Sequence, residues 1–329
     1  GEGGPPAFRR APVDAVGAEM DAMEIRNESK GHIAAFITVI IWGITYVSTK
    51  SLLEYFTPIE ILFIRFVIGY AALWLICPRI MHVNNKKHHW YFAAAGLCGV
   101  TLYYLFENIA LTYTLASNVG IILSVAPFFT AIFGYLFLKD ERPGVIFFVG
   151  FAIAMVGIFL IGYNTEANLK LNPLGDILAI IASIIWAAYS TLSKKIGSFG
   201  YDTVQATKII FTYGLVFMLP AVCMMDFHPE VSAFLNAGNM VNILFLGLGA
   251  SALCFVTWNF ALKVLGSVKT SVYIYLVPVV TTVSSAIILG EQITGMIVCG
   301  IVLTLAGLFM SEKKKSKVQT ESDIEQNVL

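Results

Sequence analysis

Several residues in this chain are of types that an apolar run does not carry without cause. Arg65 and Glu107 are charged side chains inside stretches that are otherwise hydrocarbon-like. An ionisable group in such a place is costly, so it pairs or marks a pathway. Trp42 and Trp186 lie about 14–17 Å inside two similar stretches at 1.5 Å of rise per residue, deeper than the tryptophans that anchor at headgroups. Pro127 and Pro278 stand at similar depth, where a missing N–H allows a structural kink or a hinge. Tyr46, Tyr103, Asn118, Ser124, Tyr189, Trp258 and Tyr275 complete the set. Taken singly, a tyrosine or serine at helical spacing serves packing. Together these residues would wall an amphipathic, aromatic cavity suited to a zwitterion, and a fixed cation beside it would favour a carboxylate.

The two charges share a depth. Arg65 lies about 10 Å and Glu107 about 8 Å below the same outer boundary at helical rise. A direct or water-bridged contact is therefore expected, either propping the first half of the chain or closing an outer gate. Lys208 matches Arg65 in the second half, and its apolar stem lets the ammonium snorkel to the nearer interface.

Other chemistries find no support. The chain has no glycine-rich phosphate loop, no HExxH and no CxxC. His32, His82, His88, His89 and His228 fall at the ends of runs or in loops, and the first loop histidines with Lys86 and Lys87 form a solvated basic segment. Cys77, Cys98, Cys223, Cys254 and Cys299 lack metal-ligand spacing and read as small apolar residues. No catalytic residues, metal, cofactor or nucleic-acid partner is implied. The expected partners are a small-molecule substrate, the lipid bilayer and protons as a candidate coupling ion, with the chain a monomer or dimer.

The elements that would hold these residues can be read from hydropathy. With 57% hydrophobic and 13% charged residues, the chain cannot cover itself with a polar surface in water. Ten apolar runs have the roughly 17–25 residues that a spanning helix needs, centred on 33–49, 58–77, 90–112, 116–138, 144–163, 175–193, 203–225, 241–262, 268–289 and 294–310. The fold class is an all-α membrane protein. Its halves are copies: Gly31 to Lys50 lies over Gly175 to Lys194, Asn108 to Pro127 lies over Asn259 to Pro278, and Arg65 falls on Lys208. Five spans per copy is an odd number, so the ten helices form two inverted five-helix repeats.

The expected organisation is a disordered segment over 1–30, a first repeat over 31–163, an extracytoplasmic linker over 164–174, a second repeat over 175–311 and a disordered cytoplasmic tail over 312–329. Residues 1–22 differ in composition from the rest, which points to a native start at Met23 or Met20. Lysine and arginine crowd one set of loops and leave only Lys50 and Lys170 on the other. The positive-inside rule then puts both termini in the cytoplasm.

Ile41-Trp-Gly43, Arg65-Phe66, Glu107-Asn-Ile-Ala-Leu111 leading to Ala116-Ser-Asn118, Pro127 with Leu138-Lys-Asp-Glu141, and Tyr275-Leu-Val-Pro278 with Leu289-Gly-Glu291 resemble, in order, the ten-helix EamA type of the drug/metabolite transporter superfamily. The resemblance implies export of small metabolites, often amino acids, through a central cavity between two halves in a bacterial plasma membrane. It also implies that the fifth and tenth helices pack at the periphery. Here Gly150, Gly157, Gly300 and Gly307 allow close approach. One departure is internal: Arg65 pairs with Lys208 and Glu107 with Trp258, so the two halves are not chemically equivalent. The expected function is a secondary exporter working by alternating access, with a passive facilitator of the same fold, or a non-transporting receptor, as alternatives.

Overall fold

The computed structural model describes residues 13–114, 116–139, 143–164, 172–289 and 293–312. Among them there is no strand. In chain order the helices are α1 (Val13–Leu52), α2 (Pro58–Ile76), α3 (Lys86–Tyr113), α4 (Ala116–Leu123), α5 (Ala126–Leu138), α6 (Val145–Asn164), α7 (Pro173–Gly197), α8 (Thr203–Met224), α9 (Val231–Phe234), α10 (Ala237–Leu265), α11 (Ser267–Ser271), α12 (Leu276–Leu289) and α13 (Gly295–Glu312).

Local chemistry starts these helices where they start. At α2, Thr57 and Glu60 make a capping box, the Thr57 N–H donating to Glu60 Oε2 at 2.8 Å, and Pro58 takes the first turn. Asn172 accepts from the Leu174 and Gly175 N–H groups at the head of α7, and Asp202 accepts from Gln205 N–H at the head of α8. Expected disorder over 1–30 does not hold for 13–30, because α1 already begins at Val13, and residues 1–12 lie outside the described residues. The first turns of α1 are rich in alanine, methionine and glutamate with no proline after Pro12, a composition that favours helix without any tertiary contact.

Among the described residues, eight helices are long and apolar enough to cross a membrane. The ninth expected run, 268–289, is divided between α11, a 3-10 turn over Val272–Tyr275, and α12. The tenth contains the shorter apolar helix Gly295–Ser311. Large apolar side chains cover the outside; Phe137 and Phe309 are 70% and 62% exposed, as befits a surface that meets lipid.

Packing interleaves the two halves. α1 lies on α10 and α12, while α7 lies on α3, α4 and α5. α2 crosses α8 and α10, and α8 in turn crosses α3. α6 and α13 pair with each other, so tightly that a Cβ on Gly157 would stand 2.6 Å from the Gly300 carbonyl oxygen.

Among the described residues, two spans contain π-helix. α3 opens into a π-helical stretch over Gly96–Leu102, closed by Tyr103 N–H bonding the Cys98 carbonyl five residues back. α10 does the same over Phe245–Leu253, where Cys254 N–H reaches Gly249. Gly96 and Gly247 occupy matched positions in the duplicated sequence, so the irregularity is shared by both halves. Such turns hold one extra residue in a widened turn, and they recur at functional sites.

Candidate functional site

A cavity opens where α1, α3, α7 and the breaks α4–α5 and α11–α12 converge. It is lined by Trp42, Thr45, Tyr46, Tyr103, Tyr104, Glu107, Leu123, Ala126, Trp186, Ile274 and Val277. Several of these are matched pairs of the duplication: Trp42 with Trp186, Leu123 with Ile274, Ala126 with Val277. The apolar floor is thus built twice over, from both halves. Its volume is about 30 Å³, room for about two waters at 10–15 Å³ each.

The polar side comes from the first half alone. Thr45, Tyr46, Tyr103, Tyr104 and Glu107 correspond to Tyr189, Ser190, Cys254, Phe255 and Trp258, and all five of those counterparts are completely buried. Where one half offers hydroxyls and a carboxylate to the cavity, the other packs three rings and two small side chains out of reach of it. Trp258 sits 5.0 Å from the Trp42 ring and 6.2 Å from Trp186. Trp42 and Trp186 themselves meet edge to face, centroids 5.1 Å apart at 82°, a favourable aromatic geometry.

The π-helical stretch of α10 holds two of these groups in place. Trp42 Nε1 donates to the Ala250 carbonyl at 3.1 Å. Arg65, 2% exposed, donates from Nε to Ser251 Oγ at 3.0 Å. Its guanidinium carbon lies 4.5 Å from the centroid of Tyr104, a cavity-lining ring. One guanidinium nitrogen, Nη2, is buried without a partner, as are Trp186 Nε1 and Trp258 Nε1.

The profile of the EamA-like transporter family matches this chain twice, over residues 29–163 and 173–312. The chain belongs to the EamA-like transporter family. It is a multi-pass membrane transporter and not an enzyme. An uncharacterized transporter of Archaeoglobus fulgidus is 28% identical over 289 residues, spanning 87% of this chain and 99% of that protein. A probable amino-acid metabolite efflux pump of Salmonella typhimurium is 25% identical over 294 residues, 86% of this chain and 94% of that one. Its Escherichia coli namesake is 23% identical over 292 residues, with the same coverage. A solved crystal structure shares the fold, with a TM-score of 0.69 at 17% identity over 86% of this chain and 96% of the other.

Within this EamA transporter, Trp42, Tyr46, Tyr103, Glu107 and Trp186 line the cavity, and Trp258 and Tyr189 back its tryptophans. Pro127 and Pro278 directly follow the lining residues Ala126 and Val277. Three expectations need correction. Tyr275 is buried away from the cavity, its ring 6.5 Å from Phe151 on α6. Around the 3-10 turn, residues three apart share a face, so Ile274 and Val277 take the lining and Tyr275 turns aside. Ser124 is displaced in the same way: Leu123 and Ala126 line, while Ser124 Oγ donates to the Gly120 carbonyl at 2.8 Å. Of the direct or water-bridged contact expected between Arg65 and Glu107, the direct form is absent among the described residues: Arg65 Nε bonds Ser251 Oγ and the guanidinium lies against Tyr104. The side chain of Asn118, Glu141, Glu291 and the centre of the 164–174 linker lie outside the described residues.

Thr45 and Ser251 do not stand out in the sequence. Thr45 lies four residues before Thr49 and three after Trp42, whose carbonyl it binds at 2.6 Å, so helical spacing is the one signal that points to it. Lys208, the counterpart of Arg65, is a cap: its Nζ donates to the carbonyls of Cys77 and Arg79 at 2.5 and 2.6 Å, past the end of α2.

Proposed function

We propose that this protein is a secondary exporter of amino acids or related zwitterionic, aromatic metabolites, working by alternating access between two inverted halves of five helices each. Both termini would face the cytoplasm, and the membrane would be a bacterial plasma membrane. The names of the Salmonella and Escherichia relatives support the cargo class.

The observation that carries the reading is the composition of the cavity. Its floor is made of matched pairs from the two halves, which is what a site on a pseudo-symmetry axis requires. Its wall joins aromatic faces to one carboxylate, Glu107, with the Arg65 guanidinium behind Tyr104. Glu107 would take a cargo ammonium and Arg65 would favour its carboxylate, while the tryptophans take an apolar side chain. Glu107 is also the group through which a proton gradient would act. At about 30 Å³ the space is contracted well below the 300 Å³ or more of an ordinary ligand pocket. The helix breaks before Pro127 and Pro278 are the hinges that would widen it.

The test is counterflow of labelled L-phenylalanine in proteoliposomes, with phenethylamine and phenylacetate as single-charge controls. Saturable exchange of the zwitterion, lost in Trp42→Ala at equal protein content, is expected. An imposed pH gradient should drive uphill flux in wild type and not in Glu107→Gln. Flux that equilibrates but is never driven uphill would make the protein a facilitator, and no exchange of any of the three compounds would refute the cargo class.

A further inference from the structure

Beyond the central cavity, the bundle holds a second, smaller space of about 20 Å³ between α7, α8 and α10, at the lysine-rich end of the chain's loops. Ser193, Tyr201, Thr203, Asn259 and Lys263 supply its polar lining. We propose that this space is a vestibule that takes the carboxylate end of the cargo before the central cavity does, with Tyr189 as the partition between them. The inference rests on the exporter reading for its cargo, though not for its charge preference.

Three observations carry it. First, the lining holds a cation and no carboxylate among the described residues. Lys263 Nζ reaches the Tyr201 carbonyl at 3.2 Å and keeps further donor capacity, since an ammonium has three N–H groups. Lys194 and Lys195 close the last turn of α7 beside it. Asp202 is the nearby acid, and its carboxylate is already engaged with Gln205 N–H at 3.0 Å. Second, Ser193 is 4% exposed and its hydroxyl makes no hydrogen bond of good geometry, although the Tyr189 hydroxyl lies near it. A buried hydroxyl left unpaired is costly, and at the wall of a cavity it is a donor waiting for an acceptor. Third, Tyr189 touches one lining residue of each cavity. Asn259, in the vestibule lining, accepts from Tyr189 Oη at 2.7 Å and donates to Thr207 Oγ1 at 3.0 Å. The other side of the Tyr189 ring lies 4.9 Å from Trp186, which lines the central cavity. Lys263 is four residues beyond Asn259 on α10, hence on the same face one turn nearer the helix end. A carboxylate held between Lys263 and Ser193 therefore sits next to the bond that keeps the partition closed, and can compete with Asn259 Oδ1 for the Tyr189 hydroxyl.

The test needs no knowledge of the cargo. Ser193→Cys is made in a chain whose Cys77, Cys98, Cys223 and Cys299 are serine, with buried Cys254 kept. The purified full-length protein is labelled in detergent with an anionic ethylsulfonate and a cationic ethyltrimethylammonium methanethiosulfonate, each rate normalised to a free thiol. The anionic reagent should be favoured about three- to fivefold, the factor a partly exposed charge pair supplies, and Lys263→Gln should abolish the preference. L-Phenylalanine should slow the labelling, and phenethylamine should not. If Ser193→Cys fails to fold, Thr203→Cys probes the same space from α8. An unreactive thiol, equal rates for the two reagents, or a preference that survives Lys263→Gln would overturn the vestibule. An intact anion preference with no phenylalanine exchange in proteoliposomes would instead sink the cargo assignment and leave this site standing.

Discussion

Gly99→Ala is the sharpest probe of the partition, because one methyl group is enough to disturb it. Gly99 lies in the π-helical stretch of α3. A Cβ there would stand 2.6 Å from Tyr189 Cε2, and nearer still to Cδ2 and Cγ, where carbon atoms in contact keep about 3.5–4.0 Å. The ring must retreat by about 1 Å or more to restore that spacing. Its surroundings oppose this, with Trp186 at 4.9 Å and Phe255 at 5.6 Å between ring centroids and the hydroxyl held by Asn259. Overpacking a tight core costs about 1–3 kcal/mol. Loss of the Tyr189–Asn259 bond would add about 0.5–1.5 kcal/mol. Alanine's better helix propensity offsets about 0.5–1 kcal/mol. A net loss of about 0.5–4 kcal/mol is therefore expected from these opposing effects. Thermal unfolding of purified protein in which Cys77, Cys98, Cys223 and Cys299 are serine, read by a thiol-reactive dye that then reports exposure of buried Cys254, measures it. In a Tyr189→Ala background the same glycine substitution should cost nothing. Wild-type stability in Gly99→Ala, or a penalty that persists without the ring, would refute the contact as the cause.

Three further outcomes are expected. A thermal-stability cycle of Arg65→Met and Glu107→Gln should give a coupling of about 0.5–3 kcal/mol, as for groups in one buried network, because both charges flank Tyr104; a coupling below about 0.3 kcal/mol would mean that the two act independently. Lys208→Met should lower stability by about 1.5–3 kcal/mol, the worth of a charged hydrogen bond, while flux per folded molecule in proteoliposomes holds; lost flux at full stability would make Lys208 part of the path. Trp42→Phe, which keeps the ring contacts but removes the bond to the Ala250 carbonyl, should lose less exchange than Trp42→Ala; equal losses would mean that the indole N–H, not the aromatic face, is what matters.

Much of the architecture is written in hydropathy and duplication. Long apolar runs announce the helices, and the matched tryptophans at offset 144 meet edge to face in the structure. The features that stayed hidden depend on departures from regular helix. The phase shift that turns Tyr275 and Ser124 away from the cavity arises at helix breaks, where counting by 3.6 fails. The partner of Arg65 is Ser251, 186 residues away in a π-helical stretch, and no spacing rule connects them. Glu60 illustrates the opposite case. It is 3% exposed and looks like an intramembrane acid, yet its oxygens serve the backbone N–H groups of Thr57 and His228 at 2.8 and 2.7 Å. Its role is to cap a helix, which the Thr-x-x-Glu spacing already states.

The π-helical stretches of α3 and α10 also bear on how such a wall can change over generations. Each contains one residue more than a regular helix of the same rise, and each residue step turns a helix by about 100°. Tyr103, Tyr104 and Glu107 come after the stretch in α3, and Trp258 and Asn259 come after the one in α10. The wider π turn absorbs that extra residue, so deleting one residue within Gly96–Leu102 would let α3 close into an ordinary helix and leave Tyr103, Tyr104 and Glu107 nearly at the angle they hold now. In a regular helix the same deletion would swing every downstream side chain to another face. A one-residue deletion, ruinous in most buried helices, is here a change of length that the wall can absorb without exchanging its binding surface.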